Sequence, residues 1–258
     1  MARVFSSASQ EAIRFSSFSE ISNYPFSLII WFKAYQTNIY QDIVNFTNSF
    51  SDQNYVRILL WNNGTLWASV RNGDGEPSIA GGSYSANVWS CAGITYSADN
   101  SRQLWVNGTS IGTSTTSLLF PAINRFSIGR LDRPSAANPF NGEAGWCAIW
   151  NSSLTDADHK SIAAGTSPFS IQPDNLKVFV PNGNLDGETD LDVITGTTLT
   201  QVGTPTWSDD SPSGLIYPSQ QIIDVSQGII TPAVQYIPRQ IKIQNQRLIL
   251  KNQRLILK

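Results

Sequence analysis

The chain has 258 residues, a formal net charge of −2, 14% charged and 11% aromatic side chains, and 18 glycines. That length suits one large sandwich plus an appendage, and the low charge with abundant Ser, Thr, Asn and Gly suits a sandwich with uncharged polar faces and many turns. No apolar run approaches the eighteen or so residues of a membrane helix, and Met1-Ala2-Arg3 opens no leader-peptide pattern, so no membrane partner is expected.

Arg3 to Phe5 and Ala12 to Phe15 read as two short strands around a Ser-rich turn. The segment PFSLIIWFKAY alternates: Phe26, Leu28, Ile30 and Phe32 fall on one face, and Ser27, Ile29, Trp31 and Lys33 on the other, as the period of two requires. Strands are predicted at Gln41 to Phe46, Tyr55 to Trp61 and Leu66 to Arg71, the last two joined by an Asn63-Gly64 hairpin turn. An apolar run ends at Ser97, a polar turn follows, and a second run from Gln103 to Val106 closes on Asn107-Gly108. Cys91 and Cys147 sit in predicted core strands and read as small buried hydrophobes, with a disulfide as the alternative.

After Asn151, SLTDADHKSIAAG is the one convincing helix: Thr155 caps it, Asp156 and Asp158 suit its first turn, and Gly165 ends it. It is expected to lie on the surface. Leu176 to Val180 resumes the strands, and Thr198 to Trp207 supplies a closing one.

The order of W, apolar strand, LWVNG, SIGR, FNG, a strand ending IWN and then SLTDAD resembles the laminin-G-like jelly roll of the concanavalin-A-like lectin/glucanase superfamily. The resemblance covers about the first four fifths of the chain. It implies an all-β fold: a jelly-roll sandwich of two antiparallel sheets with one short helix, here followed by an extended C-terminal arm. It also places the closing strand beside the N-terminal one.

The resulting division is a jelly roll over 1–207, a linker over 208–214 and an arm over 215–258. The arm carries six basic residues against the single acid Asp224, a net of +5, while the remainder of the chain is at −7. It ends in a tandem repeat, NQRLILK at Asn245 to Lys251 and again at Asn252 to Lys258. Two copies are too few for a coiled coil, an odd period reverses the strand face in each copy, and prolines 218, 232 and 238 forbid one long helix. Too short to bury its own apolar residues, the arm should seek a partner through Arg239, Lys242, Arg247, Leu248, Ile249, Leu250, Lys251, Arg254, Leu255 and Ile256.

Chemistry narrows the function. Glycanases of the resembled superfamily use paired carboxylates in an E-x-D-x-E pattern, and this chain has none; Asp186, Glu188, Asp190 and Asp192 read as a solvated turn. The single histidine, His159, has no nucleophile motif near it. No catalytic residue, cofactor or metal centre is therefore expected. Relatives of this type often bind calcium, but Gly145 and Trp146 stand where they carry acids; Asp132, Asn138 and Asn141 offer oxygen ligands, though loop polarity explains them more simply.

The start MARVFSSASQEAIRFSS is similar to that of small phage virion proteins with a laminin-G-like domain. That resemblance implies a non-enzymatic virion protein, a capsid decoration or accessory protein assembled in the host cytoplasm, whose arm grips the shell or sister subunits in an oligomeric assembly. The alternative is a lectin-like module, for example on a tail fibre, that binds host-surface glycans through a platform of Trp61, Trp67 and Trp105, with Trp150 as a further candidate. A glycanase ranks third. Nucleic acid is not an expected partner, because the basic residues of the arm alternate with Ile and Leu and lack aromatic companions.

Overall fold

The computed structural model describes residues 2–182 and 190–212, together with the backbone of 242–243, 246–251 and 254–257. The chain divides into two units, Met1–Pro218 and Ser219–Lys258. In the first, β1 (Ala2–Phe5) and β2 (Ala12–Phe15) precede the long β3 (Phe26–Ala34) and β4 (Gln41–Asn48). A meander follows through β5 (Ser51–Leu60), β6 (Thr65–Asn72), β7 (Ser78–Ser83), β8 (Ser90–Ala98), β9 (Ser101–Val106) and β10 (Thr109–Ser114). Then come β11 (Arg125–Ile128), β12 (Gly142–Trp150), α1 (Asp156–Ala163), β13 (Leu176–Val180), β14 (Thr200–Val202) and β15 (Thr206–Ser208). No helix among the described residues is long and apolar enough to cross a membrane.

Two antiparallel sheets result. One runs β10-β9-β8-β3-β12-β1-β15, with β13 added on β12; the other runs β14-β2-β11-β4-β5-β6-β7. Alternation along β3 divides its side chains between two cores. Phe26, Leu28, Ile30 and Phe32 enter the layer between the sheets, while Ile29 and Trp31 join Trp146, Trp150, Ile162 and Phe179 on the far side of the eight-stranded sheet. On β12 the register slips between Ala144 and Cys147, a bulge that turns both residues inward despite their odd spacing. Cys91 and Cys147 are buried and free, as small hydrophobes should be.

The helix begins where the sequence indicates. Thr155 accepts from the Asp158 backbone N–H, and the Asp158 side chain returns a bond to the Thr155 backbone, the reciprocal capping box. It does not lie loosely on the surface, however, because His159 and Ile162 are buried against the eight-stranded sheet. The His159 ring stacks on Trp105 with centroids 3.8 Å apart and planes 10° from parallel, and its Nε2 lies 3.0 Å from the Thr95 hydroxyl. Gly93 makes this fit, since a Cβ there would stand 2.7 Å from His159 Nδ1.

The closing strand is split in two. Gly203, at φ +72°, and Pro205 interrupt it, so β14 joins β2 in one sheet and β15 joins β1 in the other. The pairing of β15 with the N-terminal strand is the one the family resemblance implies. A buried ion pair of Arg3 with Asp190, 3.1 Å apart, reinforces it, with Gln201 donating to Asp190 at 3.0 Å and the Arg3 guanidinium over the Trp207 ring at 4.1 Å. Beyond β15 the chain stays on the sandwich: Lys33 bridges Glu143 and Asp210, and Pro212 packs over Gly145. β7 and β10 have no counterpart in the sequence expectations, because SIAGGS and TSIGTS carry too few apolar residues to alternate and take strand form from their neighbours.

In the second unit, β16 (Lys242–Ile243), β17 (Gln246–Lys251) and β18 (Arg254–Leu257) form an antiparallel three-stranded sheet in that order. These strands are the described part of the arm expected over 215–258; residues 215–241 lie outside the described residues. The three prolines all precede the strands.

Burial pushes His159 down to about 3, with the nearby Asp158 charge opposing it. The unfolded chain therefore takes up a proton below about pH 6.5 that the folded chain refuses, so stability falls as pH drops from there toward 3, by at most about 1.4 kcal/mol per pH unit from this group. Urea titrations at stepped pH should show a shallower decline for His159→Phe, which keeps a ring on Trp105. Identical slopes for the two proteins would refute the assignment.

Candidate functional site

The outer face of the seven-stranded sheet is built from one polar row and its flanks. Strand registers align Thr200, Arg14, Ser127, Asn45, Arg57, Ser69 and Ser78 across all seven strands. On one side of this row Asp42, Leu59, Trp67 and Ala80 are neighbours in register.

Half of that face is closed. The 129–141 segment lies over β4 and is pinned there. Asn45 donates to the Arg130 carbonyl at 2.7 Å, Thr47 to the Asp132 carbonyl at 2.8 Å, and Asn138 to Asp42 Oδ2 at 2.8 Å. Its anchor is Asp132, whose buried carboxylate meets Arg130 at 2.7 Å, Arg14 at 3.0 Å and Arg125 at 3.3 Å. Burial alone would raise this carboxyl, but the bonds from Arg130 and Arg14 and the surrounding positive charge hold it below the usual range.

On the other half Tyr55, Leu59 and Ser69 are buried among their neighbours, and partly exposed aromatic side chains gather at its end. The Asn63-Gly64 turn, with Gly64 at φ +78°, sets Trp61 diagonally across from Trp67 on one face of the β5–β6 hairpin. Their indoles stack with centroids 4.3 Å apart and planes at 17°, and Tyr40 meets Trp61 edge-on at 4.5 Å. Tyr40 is 42% exposed, and both indoles are half-buried. A hydrogen-bond chain fixes the cluster: Trp67 Nε1 donates to Thr65 Oγ1 at 3.1 Å, and the Thr65 hydroxyl donates to Asn63 Oδ1 at 2.6 Å. Next along β6, Ser69 accepts from Arg57 Nε at 2.9 Å and donates to Glu76 at 3.1 Å, while Arg57 Nη2 also reaches Glu76 at 2.9 Å.

Of the tryptophans proposed from sequence, Trp61 and Trp67 come together here. Trp105 and Trp150 do not: both are buried on the other sheet, Trp105 under His159 and Trp150 with its Nε1 donating to the Ile171 carbonyl at 2.8 Å. They point away from the sandwich interior but are covered by α1 and the segments after it, which strand periodicity cannot reveal. Tyr40 was missed because it lies between strands, in a stretch without alternation.

Jelly-roll architecture and sequence agree with the comparisons. Residues 7–158, more than half of the chain, match the model of the laminin-G-type family described as the concanavalin A-like lectin/glucanases superfamily. The chain belongs to that superfamily. No curated protein sequence matches it. Among solved structures, a native heptameric SAP-like pentraxin from Limulus polyphemus is 15% identical with a TM-score of 0.59, over 80% of this chain and 93% of its own. A protein of Bacteroides ovatus provisionally described as carbohydrate-binding is 17% identical with a TM-score of 0.56, over 81% of this chain and 60% of its own. The NanB sialidase of Streptococcus pneumoniae is 17% identical with a TM-score of 0.54, over 62% of this chain and only 27% of its own. These likenesses establish a shared fold.

For a concanavalin A-like protein, the disposition of charged groups is informative. Asp132 is engaged by three guanidiniums, Asn138 bonds Asp42, and the Asn141 backbone N–H donates to Gln41 Oε1 at 2.8 Å, so the three proposed calcium ligands serve the pinned loop. Among the described residues, no three His, Cys, Asp or Glu side chains are grouped to hold a metal ion. Asp190 pairs with Arg3, and Asp192 accepts from the Phe179 and Ile194 backbone N–H groups; Asp186 and Glu188 lie outside the described residues. Of the residues assigned to the assembly arm, Lys242 is on β16, Arg247 to Lys251 on β17, and Arg254 to Ile256 on β18, while Arg239 lies outside the described residues.

Replacing Asp132 with Asn should cost about 3–5 kcal/mol, because three guanidiniums lose a buried counter-charge. Arg14→Gln should cost far less, since Asp132 keeps two partners. Chemical denaturation of both variants checks the ranking, and equal losses would contradict a shared hub.

Proposed function

We propose that this protein is a non-catalytic, lectin-like module that binds carbohydrate at the aromatic end of its seven-stranded sheet. The observation that carries the reading is the Tyr40–Trp61–Trp67 cluster: aromatic surface left accessible and held in place by the Thr65–Asn63 hydrogen bonds. A sugar ring has an apolar C–H face that suits an indole and a hydroxyl rim that needs planar polar partners. Ser69 follows Trp67 by two residues on the same face of β6, roughly 7 Å along a strand, and brings Glu76 and Arg57 with it. Ser69 itself is buried, so the hydrogen-bonding groups offered beside the aromatic surface are the partly exposed Arg57 and Glu76 that it holds.

The likeness to a Bacteroides ovatus protein provisionally described as carbohydrate-binding supports the same reading. A virion role, the first expectation from sequence, finds no comparable support among the likenesses reported above. Oligomers occur on this fold, as the heptameric pentraxin shows.

A glycan array followed by calorimetry on the best ligand tests the proposal. Trp67→Ala and Trp61→Ala should each weaken binding at least tenfold, about 1.4 kcal/mol or more. Trp89→Ala, which alters an indole near Lys33, should leave affinity unchanged. Equal affinity across all four proteins, or no binding to any glycan, would overturn the assignment.

A further inference from the structure

We infer that the chain self-associates through its C-terminal hairpin, β18 of one copy pairing edge to edge with β18 of a second. The two copies of NQRLILK supply β17 and β18, and they pair with each other: Leu248 opposite Leu257, Ile249 opposite Ile256, Leu250 opposite Leu255. This register is pseudo-symmetric about isoleucine, because L-I-L reads the same in both directions. A strand of this sequence is therefore self-complementary when antiparallel.

β18 is also the outer strand of its sheet, and among the described residues no strand pairs its other side. Such an edge offers a row of unsatisfied backbone donors and acceptors. The same repeat already pairs with the inner side of β18, and a second copy presents that sequence to the outer edge. Placed antiparallel, two β18 strands set Ile256 against Ile256 on a two-fold axis and Leu255 against Leu257, the pairings already made within one chain. The interface is isologous and closes as a dimer, giving the strand order β16-β17-β18-β18-β17-β16.

Alternation is preserved through the axis. Within the hairpin the antiparallel turn undoes the face reversal that an odd repeat imposes, so Leu248, Leu250, Leu255 and Leu257 share one face and Arg247, Ile249, Lys251, Arg254 and Ile256 the other. The dimer continues both faces without interruption. It also brings the cationic faces of two copies side by side, and like charges on adjacent strands repel, so association should tighten as salt screens them. This inference is independent of glycan binding. If both hold, two glycan sites become linked and avidity rises without a new contact.

Light scattering on the full-length protein should show twice the chain mass, with a dissociation constant that falls on raising salt from 0.05 to 0.5 M, roughly a threefold change in screening length. Ile256→Cys should form a covalent dimer on mild oxidation, because that position meets itself on the axis. Arg247→Cys, on the inner strand, should not, and Cys91 and Cys147 are buried and silent. A full-length protein that stays monomeric to its solubility limit overturns the proposal, as does a dimer that cross-links equally from positions 247 and 256.

Discussion

Burial of the eight-stranded sheet on both faces is the constraint from which the remaining architecture follows. β3 and β12 send one set of side chains into the layer between the sheets and another into the second core beneath α1. The hydrophobic effect thus demands cover on both sides, and that cover comes from α1 together with Leu154, Phe169, Ile171 and Val193. With that sheet enclosed, the accessible sheet surface belongs to the other layer. The aromatic cluster is found there.

Polar interactions then decide how much of that surface stays open. Asp132 gathers three arginines and holds the 129–141 segment over β4, so the β2–β11–β4 half is roofed while β5–β7 is not. A hub of this kind contributes uniqueness more than net stability, since desolvation of the ions offsets much of their attraction. Its consequence is spatial. It leaves Trp61 and Trp67 uncovered at the end of the β5–β7 half, where the proposed ligand would meet them.

The two units use chemically different surfaces. The sandwich carries the aromatic and hydrogen-bonding groups on a locked hairpin, whereas the C-terminal sheet consists almost wholly of Leu, Ile, Lys and Arg. A binding face benefits from rigidity, because a side chain already held in place loses little entropy on contact. An assembly edge benefits from repetition, because identical strands satisfy each other's backbone groups. The proposed glycan binding and the proposed self-association would each use one of these surfaces.

Residue order alone determined the strand periodicity of β3, the Asn63-Gly64 and Asn107-Gly108 turns, the Thr155 cap and the superfamily, because each depends on neighbours within a few residues or on motifs in sequence. It also singled out Trp61 and Trp67, which one tight hairpin brings together. Only the tertiary structure could separate those two from Trp105 and Trp150. All four leave their strands on an outward face, and whether that face meets water or a helix depends on segments far along the chain. For the same reason Asp132, His159 and Tyr40 acquired their places only when three arginines, one glycine and one indole arrived from distant strands.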